Sequence, residues 1–165
     1  ATMSSNLVDL GFKKILQDGF YALWQREPEK REFLNINIGR LDDDPFLGAG
    51  WNTRENGYRW AWKNASVMFK VVSPRKFNLQ LTAEAFHENQ KTAIYVNRIK
   101  ITDIIIPTHM EKFVIPINQE LKGGINSVHF IFSSAYRPSE VIPESTDRRQ
   151  FSAKFTNISL SETTL

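Results

Sequence analysis

The sequence predicts an all-β chain, an antiparallel jelly-roll β-sandwich carrying a short N-terminal amphipathic helix. Three observations lead there. Beyond Arg31 the apolar residues recur with a period of two; some eight such runs are separated by short, turn-rich connections; and no helical pattern lies between them. Strands that follow one another without crossover helices disfavour a Rossmann class, and no Gly-rich phosphate loop follows any of them. The 165 residues suit one domain, and 41% hydrophobic with 24% charged residues is a globular rather than a disordered composition.

The first five residues, Ala-Thr-Met-Ser-Ser, read as a cloning scar and not as a signal peptide, since they have no charged or apolar region. Residues 6–30 form an N-terminal segment in which Leu7, Leu10, Ile15, Leu16, Phe20, Leu23 and Trp24 recur near helical spacing, with Ser5 or Asn6 available as an N-cap. Gly11 and Gly19 oppose a helix by roughly 1 kcal/mol each, and Tyr21 with its aromatic neighbours also suits a strand. An amphipathic helix there would lie on a membrane, pair with a second copy or dock on a partner subunit.

Residues 31–165 are the expected sandwich. Leu34, Ile36 and Ile38 alternate with Asn35 and Asn37 up to Gly39. Val67, Phe69 and Val71 share a face, as do Phe77, Leu79, Leu81, Ala83 and Ala85, with Ser73-Pro74-Arg75-Lys76 as the turn between these two strands. Thr92–Val96 and Ile99–Ile105 flank Asn97-Arg98, a connection of hairpin length whose asparagine tolerates positive φ. Glu111–Ile117 is a further strand; Lys122 to Asn126 turns into Ser127–Ser133, which aligns Val128, Phe130 and Phe132. In the last strand Phe151, Ala153 and Phe155 face inward, but the phase slips by one at Ile158 and Leu160, as a β-bulge near Thr156 and Asn157 would cause.

Several chemistries are disfavoured. A chain without cysteine makes no disulfide, thiolate nucleophile or cysteine-ligated zinc site. His87, His109 and His129 have no second ligand at metal spacing, and no Gly-x-Ser-x-Gly elbow occurs. A net charge of +3 is a weak field, and without basic runs interleaved with aromatics no nucleic-acid partner is expected. No apolar run reaches the roughly 20 residues of a membrane-spanning helix, so a soluble chain is expected. No cofactor is expected either. Asp42-Asp43-Asp44 would suit a structural calcium, with a solvated acidic loop as the favoured alternative.

Two long segments are where function is sought. The first, 40–64, holds Trp51, Glu55, Tyr58, Arg59, Trp60 and Trp62, three of the four tryptophans. Trp60 and Trp62 share parity, opposite to Arg59 and Ala61. The second, 135–150, holds Tyr136, Asp147 and Arg149 and is stiffened by two prolines. An indole face receives the apolar C–H face of a sugar, while Arg, Glu and Asp match its hydroxyls. Two competing readings stand beside this one: the tryptophans cap the core, and Asp147 with Arg149 forms an ion pair bracing its loop against Glu55 or Arg59. Convergent carboxylates also admit a glycosidase, which needs defined separations.

The run Ile36-Asn-Ile-Gly39, Asp43-Asp44-x-Phe-Leu47, Gly50-Trp51, Glu55, Arg59-Trp60 and Ala65 resembles the opening of a β-sandwich module appended to bacterial and archaeal glycosyltransferases and related polysaccharide-synthesis proteins. Ile94-Tyr-Val-Asn97 is similar to that module's valine-x-asparagine-glycine hairpin, with Arg98 where the glycine stands. Phe113-x-Ile-Pro116, Gly124-x-Asn126-x-Val-x-Phe130 and Pro138 through Ser145-x-Asp147-x-Arg149-x-Phe151 continue the likeness, which covers about residues 33–160. It implies a carbohydrate-binding-module-like jelly roll of a cell-envelope glycan-synthesising protein, extracytoplasmic or membrane-proximal cytoplasmic, with a glycan and the parent transferase or another subunit as partners. The expectation is thus a non-catalytic domain whose ligand is held by Trp51, Glu55, Tyr58, Arg59, Trp60, Trp62, Tyr136, Asp147 and Arg149. A docking module packed on its parent is the alternative, and a glycan-active enzyme the third.

Overall fold

The computed structural model describes residues 31–163 and, ahead of them, the backbone of 12–18 and 21–26. The chain divides into two compact units, Ala1–Arg31 and Glu32–Leu165. In the first, β1 (Phe12–Asp18) pairs antiparallel with β2 (Tyr21–Arg26), and the register shifts between Lys14 and Leu16. A hairpin therefore stands where the apolar spacing predicts a helix. Gly11 and Gly19 bracket β1 with the poorest helix formers after proline, and the Phe, Ile, Tyr and Trp between Phe12 and Trp24 favour extended backbone. The rest of the expected helix, 6–11, 19–20 and 27, lies outside the described residues.

The second unit is the predicted sandwich. Its strands are β3 (Asn35–Asn37), β4 (Arg59–Trp60), β5 (Asn64–Val71), β6 (Phe77–Ala85), β7 (Gln90–Val96), β8 (Ile99–Ile106), β9 (Glu111–Pro116), β10 (Gly124–Phe132) and β11 (Ala153–Glu162). One sheet has the order β5-β10-β7-β8. The other has β3-β11-β6-β9, with β4 following β3 along the same edge of β11. All pairings are antiparallel.

Alternation builds the core. Val67, Phe69 and Val71, then Phe77, Leu79 and Leu81, then Val128, Phe130 and Phe132, close on one another from the two sheets. Phe69, Phe77, Phe130, Phe132 and Phe155 are fully buried, each stabilising by roughly 1.5–3 kcal/mol relative to exposure. On β11 the register shifts between Phe155 and Asn157, so Thr156 is an extra residue and Ile158 and Leu160 point inward like Phe155. This is the expected bulge.

β7 brings two polar residues inside, Gln90 and Thr92. The Gln90 side-chain oxygen accepts from the Ser133 hydroxyl at 3.1 Å and the Ser134 amide at 3.1 Å. It thereby fixes the start of the long 135–150 segment as that segment leaves β10. The segment itself contains one helical turn, Pro138–Val141, opened by the buried Pro138. Among the described residues no helix is long and apolar enough to cross a membrane.

Candidate functional site

The 40–64 segment is folded by one buried cation. Arg59, on β4 opposite Phe155, is 8% exposed. Its Nε and Nη2 donate to Asp43 at 2.8 and 2.6 Å, Nη2 also reaches Asp44 at 2.5 Å, and Nη1 donates to the Asn52 carbonyl at 3.3 Å. Asp43 accepts in addition from the Gly39 amide at 2.7 Å. A guanidinium this enclosed is tolerated because a two-point carboxylate faces it. The hydrogen bonds that Arg59 donates to Asp43 raise the guanidinium's pKa above the usual arginine value. Gly39, at φ 84°, permits the approach: a Cβ there would sit 2.0 Å from the Tyr58 nitrogen.

This corrects two expectations. The acidic triplet is not a solvated loop, because Asp43 is buried while Asp42 and Asp44 remain exposed. Asp43 and Asp44 turn carboxylate oxygens toward Arg59, and among the described residues no group of three or more His, Cys, Asp or Glu side chains is arranged to hold a metal. Arg59 itself has its donors engaged internally and serves the loop rather than a ligand.

The two long segments meet. The Asn52 side chain donates to the Gln150 carbonyl at 2.8 Å. Glu55 and Tyr58 face each other across a tight turn, and the Tyr58 hydroxyl donates to Glu55 at 2.6 Å, which raises the phenol's pKa. Arg149 donates to the other Glu55 oxygen at 3.1 Å through Nη1, and to Asp147 at 2.6 Å through Nη2 and 3.1 Å through Nε. The Arg149 amide also donates to Asp147, at 2.9 Å. These hydrogen bonds from Arg149 hold the Asp147 carboxyl below its ordinary range. The Glu55, Asp147 and Arg149 side chains stay partly open to solvent, between 28% and 39%.

An aromatic floor underlies this cluster. Trp60 stacks on Phe151 with centroids 4.8 Å apart and 11° between planes, while Phe86 and Tyr58 meet the indole edge-on. Arg149 lies over Phe151 at 4.9 Å, and the Lys154 ammonium, paired with Glu84, approaches the rings of Tyr58 and Trp60. Tyr136 bridges Phe151 through its backbone but turns its hydroxyl to Glu88 and its ring to His87. It meets the floor through that backbone bridge alone and stands apart from the Glu55 group.

The parity of the tryptophans holds, with Ala61 and Arg59 inward, Trp60 half-buried and Trp62 48% exposed. Trp51 differs from the expected stacking platform. Its indole N–H donates to the Ser66 carbonyl at 2.8 Å and its ring meets Phe155 edge-on, so it closes the end of the core. A tryptophan beside Gly50 carries no sequence signal of burial; only the pairing of Trp51 with Ala61 places it.

A concavity lies away from this cluster, on the outer face of the β5-β10-β7-β8 sheet. It encloses about 660 Å³ and is lined by Asn64, Ser66, Tyr95, Arg98, Ser127 and His129 among others. Sequence reading passes over these residues because alternate outward positions on strands look like ordinary solvent-facing side chains. The one available signal was Arg98 at a glycine position.

No protein-family model matches the chain, and no curated protein matches it. Solved structures do. A ruminal GH26 endo-β-1,4-mannanase aligns with a TM-score of 0.54 at 18% identity, over 84% of this chain and 28% of that one. The CBM36-1 domain of a multidomain xylanase from the hindgut metagenome of Trinervitermes trinervoides gives 0.47 at 9% identity, over 73% and 92%. A family 35 carbohydrate binding module from an environmental isolate gives 0.43 at 16%, over 80% and 87%. The likeness to the mannanase is one of fold, and the chain spans little more than a quarter of that enzyme's length.

Proposed function

We propose that this sandwich is a non-catalytic carbohydrate-binding module that holds a glycan at the rim where the 40–64 and 135–150 segments meet. The observation that carries the reading is the cluster of Glu55, Tyr58, Asp147 and Arg149, partly open to solvent, beside the half-buried ring of Trp60. Planar carboxylates and a guanidinium, already oriented by one another, present their outer edges to sugar hydroxyls, and the aromatic rings supply apolar surface. Trp62 adds an open indole on the same segment.

The arrangement of the carboxylates favours binding over hydrolysis. A glycosidase needs one carboxyl held protonated near neutral pH. Asp147 is instead held ionised, and Glu55 and Asp147 both accept from the same guanidinium. The sequence run that resembles modules of polysaccharide-building proteins supports a parent that synthesises cell-envelope glycan, with that parent as the covalent partner.

Calorimetric titration against a panel of neutral envelope-glycan oligosaccharides tests this. Weak binding is expected, as shallow sites bury little ligand, and Arg149→Ala should reduce it about tenfold or more. A panel without a single binder, or an Arg149→Ala variant that binds undiminished, would overturn the proposal.

A further inference from the structure

The β7–β8 turn carries a residue that the rim does not use. Val96 pairs with Ile99, and Asn97 and Arg98 between them take φ values of 49° and 72°. Two consecutive positive φ angles make a type I′ turn. Asparagine suits its first position, and Asn97 is well anchored. Its amide donates to the Ser127 carbonyl at 2.9 Å, its side-chain nitrogen to Asn126 at 2.7 Å, and its side-chain oxygen accepts from the Ser127 amide at 3.0 Å. The second position is glycine's by preference. Arginine there holds a backbone conformation costly for a side chain of its size, and such strain clusters at ligand sites.

Nothing in the fold repays that strain. Arg98 is exposed, and among the described residues it makes no hydrogen bond or ion pair. Yet it stands between two adjoining grooves, the one of about 660 Å³ that includes Tyr95 and His129, and one of about 390 Å³ that includes Lys122. Ser127 also lines both. No aspartate or glutamate lines either groove. The acidic residue on the adjacent edge strand, Asp103, already pairs with Lys100 at 2.9 Å.

We infer that these grooves form a second saccharide site, selective for a uronate-bearing oligosaccharide whose carboxylate is taken by Arg98. The guanidinium matches a carboxylate in two-point geometry, Tyr95 offers aromatic surface beside it, and Ser66, Ser127 and Asn64 supply hydroxyl and amide partners for the ring. The volume falls in the usual range for small-ligand sites. The choice of a saccharide rests on the glycan-binding reading above; the choice of an acidic one rests on Arg98, on Lys122 and on the absence of lining carboxylates.

The test is titration of the intact chain, followed by amide chemical shifts, with a trisaccharide of uronic acids and with its carboxyl-reduced, neutral counterpart. The uronate should bind at least about tenfold more tightly, with affinity falling as salt rises, and should shift Tyr95, Ser127 and His129. Arg98→Gly should cut its affinity about tenfold or more while the melting temperature rises by roughly 2–5 °C, since glycine relieves the turn; a loss of binding in a more stable protein is not a loss of fold. Equal binding of the reduced sugar, undiminished binding by Arg98→Gly, or no uronate binding at all overturns the inference. So does tighter capture of a sulfated trisaccharide or of anionic phospholipid vesicles through this face. Shifts confined to Glu55, Tyr58 and Arg149 would assign the uronate to the rim, leaving that proposal standing and this one refuted.

Discussion

The Arg59–Asp43 pair shows how a single residue organises a loop. Removing the guanidinium leaves the enclosed Asp43 without its countercharge, so Arg59→Met should destabilise the domain by roughly 3–5 kcal/mol in denaturant titration. Trp51→Ala should cost about 3 kcal/mol through lost packing on Phe155 and the lost bond to Ser66. A change in glycan affinity beyond that predicted from unfolding would show that Trp51 contacts the ligand. Asp147 has a folded-state pKa below its unfolded value. Its contribution is therefore complete above the ordinary carboxylate range near pH 4 and is lost as pH falls through the lower folded value. Melting temperatures between pH 5 and pH 2 should decline less steeply in Arg149→Gln than in the parent chain. At this scale the sequence made the parity of Arg59, Trp60, Ala61 and Trp62 legible, because parity is local. Which indole is enclosed was not, because Ser66 and Phe155 meet Trp51 only through the tertiary fold.

Elements were legible where one face is buried and the other wet. The β6 strand, Phe77–Ala85, runs over the predicted residues because five apolar side chains alternate without a break. The bulge on β11 was visible as a slip in that alternation. The N-terminal hairpin was misread because seven apolar residues with two glycines fit a 3.6-residue period as readily as they fit two short strands. β4 was legible only as the parity of Arg59 to Trp62, since a two-residue strand has too few positions to set its own bounds. Gly50 sets the entry to Trp51 at φ 92°, where a Cβ would lie 1.7 Å from the Asn64 carbonyl oxygen. Gly50→Ala should therefore lower the melting temperature by about 5 °C or more, measured calorimetrically; an unchanged value would mean the 49–51 backbone is free to move away.

At the scale of the whole molecule, the described residues of the second unit form a hydrophobic core of their own, from Ile36 to Leu160. A chain starting at Glu32 should unfold in one cooperative transition by calorimetry, and a broad or absent transition would show that the first unit is required. The two-sheet architecture could be read from sequence since strand number, spacing and alternation leave few other ways to bury these side chains. The meeting of residues 52 and 150 could not, as no local pattern links positions that far apart. What the sequence supplied was the composition of each segment, and the fold supplied their adjacency.

Thr156 is the extra residue of β11, and its carbonyl accepts from the Ile38 amide at 3.0 Å. Before it, β11 pairs with β4 through Lys154 and Phe155; after it, with β3 through Asn157 to Ser159. Deleting Thr156 would restore strict alternation and leave every inward side chain of β11 inward. The interior would thus survive a one-residue frame change while the anchor of Ile38 disappeared, so the seating of β3 along β11 is adjustable independently of the hydrophobic architecture that supports it.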